Sequence, residues 1–66
     1  MEYVITAIFM DRTETTRTPK ALEAWTSGKH YFEVHATNVV IVALNGSPYS
    51  VEEFGRAYLL GKLADA

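Results

Sequence analysis

The sequence predicts a small α+β domain: a two-layer β-α-β-β-α chain built on a three-stranded antiparallel sheet. Three observations predict it. Residues 3–10 and 39–44 are dense in β-branched and aromatic side chains. Residues 30–36 alternate apolar with polar, the period of a half-buried strand. Residues 18–28 and 50–64 open with helix caps and carry apolar side chains at helical spacing. At 66 residues, one domain spanning 1–66 is expected.

The first strand, 3–10, has two faces. Tyr3, Ile5, Ala7 and Phe9 form one, and Val4, Thr6, Ile8 and Met10 the other. Both are mostly apolar, so neither is expected to stand fully in water. Residues 11–17 are polar and threonine-rich. They read either as an exposed loop or as a hairpin whose second arm, 12–17, is an extra polar edge strand. Thr18 and Pro19 then suit a helix start, as cap and first helical residue. Leu22 and Trp25 share a face, with Ala21 beside Trp25. Gly28 is a natural stop. So short a helix needs packing to persist.

In 30–36, Phe32, Val34 and Ala36 make the apolar side; Tyr31, Glu33 and His35 make the polar one. Thr37 and Asn38 can turn this strand into 39–44, which is apolar throughout. That register sets Ala36 against Val39, Val34 against Ile41 and Phe32 against Ala43. Asn45, Gly46, Ser47 and Pro48 form a turn cluster. In the last helix, 51–64, Ser50 and Glu53 fit a capping box, with Tyr49 and Phe54 placed as a hydrophobic staple. Glu52 precedes Arg56 by one turn, a favourable pairing. A helical wheel puts Val51, Phe54, Ala57, Tyr58, Leu60 and Ala64 on the core side. Leu59 and Leu63 form a leucine pair on the nominally wet side.

These elements assemble with 39–44 central, 3–10 and 30–36 on either side, and both helices on one face. The topology resembles the ferredoxin-like fold lacking its last strand, a likeness that implies no function. The opposite face would hold Val40, Val42, Leu44, Tyr31 and one apolar side of the first strand. A lone chain of this size rarely exposes such a patch. A second copy, a different partner, or the first helix swung across would cover it.

Composition narrows the chemistry. There are 0 Cys, which excludes disulfides and thiolate zinc sites. A net charge of −2 argues against nucleic-acid or membrane binding by bulk charge. The opening apolar run is too short to span a bilayer and lacks the basic start and small-residue cleavage site of a signal peptide, so a cytoplasmic setting is expected. His30 and His35 fall on opposite faces of the expected strand and cannot share a metal. Ser27, Ser47 and Ser50 stand at turns or helix ends, with no nucleophile elbow. No glycine-rich phosphate loop occurs. Neither catalysis nor a cofactor or metal is expected.

Binding remains. A protein partner is expected, with a homodimer as the first form of it, through Tyr31, His35, Val40, Val42, Leu44, Leu59 and Leu63. The alternative is a nucleic-acid-binding regulator using Arg12, Arg17, Lys20 and Lys29, within the basic segment 12–29. Interleaved acids leave that segment little excess charge. In its small size, acidity and lack of cysteine the chain resembles phage and mobile-element accessory proteins, including anti-CRISPR inhibitors. That resemblance implies steric blocking of a target.

Overall fold

Six elements follow one another in the computed structural model, which describes residues 1–63. They are β1 (Tyr3–Ile8), β2 (Thr13–Thr18), α1 (Ala21–Glu33), β3 (Asn38–Val42), β4 (Pro48–Ser50) and α2 (Val51–Leu59). The strands form one sheet in the order β2-β1-β3-β4, with every neighbouring pair antiparallel. The chain is therefore two successive ββα units whose first strands meet at the centre.

The α+β class and the antiparallel sheet agree with the sequence. The strand count and order do not: four strands replace three, and β-β-α-β-β-α replaces β-α-β-β-α. The likeness to a shortened ferredoxin-like fold falls with them. The polar edge-strand option at 12–17 is realised as β2. Its threonines fit a strand with one paired edge, and β1 supplies that pairing along all six residues.

The largest departure lies at 30–36, which forms no strand. Residues 30–33 are the last turn of α1, so Tyr31 is helical and His35 lies beyond the helix end. Gly28 does not stop the helix. It is buried where α1 meets the sheet, and a Cβ there would stand 3.0 Å from both Ile41 Cδ1 and Val51 Cγ2. The helix begins later than expected as well. Lys20 is its N-cap; buried Thr18 accepts the Lys20 N–H at 3.2 Å and donates to Glu23 at 2.9 Å. The expected pairings of Ala36 with Val39, Val34 with Ile41 and Phe32 with Ala43 are absent. Ile41 instead faces Ile5 and Tyr49.

Helix α1 closes on His35, which has φ of 71°. The His35 N–H reaches the Phe32 carbonyl at 3.1 Å, and the Ala36 N–H reaches Tyr31 at 3.0 Å. This bond pair is a Schellman motif, with histidine where glycine is usual. A left-handed conformation costs an L-residue about 1–2 kcal/mol, partly offset because glycine loses more entropy on folding. We expect His35→Gly to stabilise the chain by about 0.5–1 kcal/mol, read as a higher urea midpoint at unchanged slope.

Helix α2 forms as its local signals dictate. The Glu53 N–H donates to Ser50 Oγ at 3.1 Å, and the Ser50 N–H donates to Glu53 Oε1 at 3.2 Å. Arg56 reaches Glu52 at 3.2 Å, and the Tyr49 and Phe54 rings lie 5.8 Å apart. The helix ends at Leu59, short of the expected 64, and Ala64 lies outside the described residues. Gly61, with φ of 67°, is the terminator. Its N–H bonds to Tyr58, and that of Lys62 to Ala57. The turn sends Leu63 into the core and leaves Leu60 exposed, the reverse of both expectations.

Both helices lie on one face. Tyr3, Ile5, Ala7, Val39, Ile41 and Ala43 point from the sheet into a core shared with Ala24, Val51, Phe54 and Leu63. The first helix is therefore not the cover of the other face. Among the described residues no helix is long and apolar enough to cross a membrane.

Candidate interaction surface

Side chains alternate along each strand, so the positions between the core residues project away from the helices. These are Val4, Thr6 and Ile8 on β1; Thr13, Thr15 and Arg17 on β2; Asn38, Val40 and Val42 on β3; Pro48 and Ser50 on β4. The register aligns them in rows. Arg17, Val4, Val42 and Pro48 make one row; Thr15, Thr6, Val40 and Ser50 make the next. Arg17 is the single formal charge among these strand residues. Strand spacing and rise give the face an area of about 400 Å².

Of the residues expected at an interface, Val40 and Val42 lie on this face, half-buried by their neighbours. Leu44 does not; it packs against the edge of the core. Tyr31 sits on the helix side, its ring 6.2 Å from Phe9 and its hydroxyl 2.6 Å from Thr16 Oγ1. His35 is exposed beyond the C-terminus of α1. Leu63 is buried. The expected set does not converge on one surface.

Leu59 belongs to a second feature, a groove of about 580 Å³ between the outer sides of the helices. Trp25 and Phe32 of α1 face Gly55, Arg56 and Leu59 of α2 across it. The Trp25 indole lies directly over Gly55, and Lys29 Nζ stands 4.2 Å from the indole centroid. The sequence places Trp25 on a helix face with Leu22, and Phe32 on the apolar side of a strand. The spacing of Trp25, Lys29 and Phe32 is helical, and continuing the helix past Gly28 would have found them.

A third, polar recess of about 500 Å³ lies between β2 and α1, lined by Glu14, Thr16, Ser27, His30 and Tyr31 among others. His30 is thus helical as well, and the opposite-face argument for the two histidines lapses. Among the described residues no group of three or more His, Asp or Glu side chains is placed to hold a metal ion.

The four basic residues expected to serve a nucleic-acid site, Arg12, Arg17, Lys20 and Lys29, are dispersed. Arg12 bonds Glu14 at 2.6 Å and Asp11 at 3.1 Å, and its guanidinium lies 4.1 Å from the Phe9 centroid. The Glu14 hydrogen bond raises the Arg12 pKa most; loss of hydration opposes it, and attraction from Glu14 and Asp11 adds to the rise. Lys20 is 3.9 Å from Glu23. Lys20 is the N-cap of α1, whereas Lys29 lies farther along the helix with its Nζ over the Trp25 ring. Arg17 is alone on the sheet face. Among the described residues these four cations do not line up as one basic track.

No family model, curated protein or solved structure matches this chain. A functional reading therefore rests on its own residues.

Proposed function

We propose that the chain is a non-enzymatic protein-binding module that acts by occupying a functional surface of its partner. The open sheet face supports this reading. An antiparallel sheet facing water usually presents polar side chains there. Here Val4, Val40 and Val42 surround Thr6 at its centre, Ile8 extends it, and Thr13 and Thr15 lie along the β2 margin. Such a surface carries little charge to desolvate and is held rigid by the core behind it, so it suits steric blocking. A phage-type or mobile-element inhibitor would use it in this way. The dispersed cations give the nucleic-acid alternative less support.

Val42→Glu tests the reading. It places a carboxylate at the centre of the face without touching the core. The far-ultraviolet spectrum should be unchanged, and retention of the partner captured by the wild-type chain should fall at least tenfold. A folded Val42→Glu protein that retains the same partner equally well would refute the proposal.

A further inference from the structure

The sheet has two edges of different character. The β4 edge is guarded: it is three residues long, begins with Pro48 and runs directly into α2. The β2 edge is six residues long, contains no proline, and keeps an unbroken register with β1. Among the described residues β2 pairs only with β1. Such an edge presents unpaired backbone groups to a further strand.

The direction of those groups follows from the hairpin. Its closing bond runs from the Phe9 N–H to the Arg12 carbonyl at 2.8 Å. Bonded and non-bonded pairs alternate along an antiparallel ladder. Counting from Phe9 and Arg12, the bonded pairs are Ala7 with Glu14, Ile5 with Thr16, and Tyr3 with Thr18. The N–H and C=O groups of Thr13, Thr15 and Arg17 therefore point outward.

We infer that β2 pairs antiparallel with β2 of a second copy, centred on Thr15, to make a continuous eight-stranded sheet. A two-fold axis normal to the sheet brings Thr15 against its own copy and Thr13 against Arg17 in both directions. All three outward residues then pair. Shifting the register by two residues loses a pair at one end or meets Pro19 at the other. In the centred register Glu14 faces Thr16, so no two like charges stand directly opposite. The same axis keeps both open faces on one side of the sheet and joins them. Each face alone is about 400 Å², half of what one partner contributes to a standard interface; the joined face reaches about 800 Å². This last step rests on the protein-binding reading, while the pairing itself does not.

The test uses the full chain. Sedimentation should give a mass twice the 7.4 kDa of one copy. Thr15→Pro removes an outward N–H that β1 does not use, a position where an edge strand tolerates proline. It should keep its circular dichroism and sediment at the mass of one copy. Thr15→Cys gives an otherwise cysteine-free chain one thiol. Opposed Cα atoms in a bonded pair lie about 5.5 Å apart, within disulfide reach. Mild oxidation should therefore link Thr15→Cys chains at least tenfold faster than Ser27→Cys chains. A wild-type chain that sediments as one copy up to millimolar concentration overturns the inference. So does a folded Thr15→Pro protein that remains a dimer, or equal crosslinking of the two cysteine variants. A dimer that survives Thr15→Pro but is lost in Val42→Glu assigns self-association to the open face. The edge inference would then fail while the protein-binding reading stood.

Discussion

Phe54→Ala should leave most of the chain unfolded at 25 °C. Phe54 has no solvent exposure and is among the largest fully buried side chains. Its ring meets Tyr3 edge-on at 5.6 Å and Tyr49 at 5.8 Å, so it joins β1, β4 and α2 at one point. Truncating a buried phenylalanine costs about 3–5 kcal/mol, from lost transfer energy and the cavity left behind. A single core in a chain this small seldom supplies more than about 3–5 kcal/mol in total. The loss therefore matches the whole stability. Urea titration followed by circular dichroism would show a missing or truncated native baseline. Two protein concentrations should be compared, because self-association would add stability by mass action. A full native baseline with a midpoint near wild type would show that the core is anchored elsewhere.

The elements that the sequence specifies well are those whose determinants are local. Helix α2 begins where the Ser50–Glu53 box places it, because both partners of each bond lie within one turn. Strands β1 and β3 follow from β-branched density alone. The middle of the chain depends on distant contacts. Gly28 reads as a stop until Ile41 and Val51 are known to need the space a Cβ would take. Residues 30–36 satisfy a two-residue period and a helical period together, and only the packing of α1 on the sheet decides between them. β4 is three residues long and exists because β3 offers an edge for it. For the candidate surface, Val40 and Val42 were readable from strand parity. Tyr31 and Leu63 fall elsewhere because the chain does not stop its helix at Gly28 and does turn at Gly61, and Leu44 because β3 ends at Val42, before strand parity can reach it.

Gly55→Ala should destabilise the chain by about 1–3 kcal/mol even though alanine is the better helix former. A Cβ at this position would stand 2.5 Å from Trp25 Nε1 and 2.6 Å from Cε2, closer than van der Waals contact allows. The indole is a rigid plate, so it must move as a unit. It is held by the tilted contact with Tyr58 at 5.9 Å and by Lys29 above it. Displacing it would disturb the floor of the groove between α1 and α2. The opposing term is helix propensity, worth about 1 kcal/mol in favour of alanine. The two effects separate in a double-mutant cycle with Trp25→Leu. Without the indole plate the clash is relieved and the propensity gain remains, so Gly55→Ala should become neutral or stabilising in that background. Urea midpoints of the four proteins would measure the coupling. An equal cost of Gly55→Ala with and without the indole would mean that the glycine serves α2 itself and not the seating of Trp25.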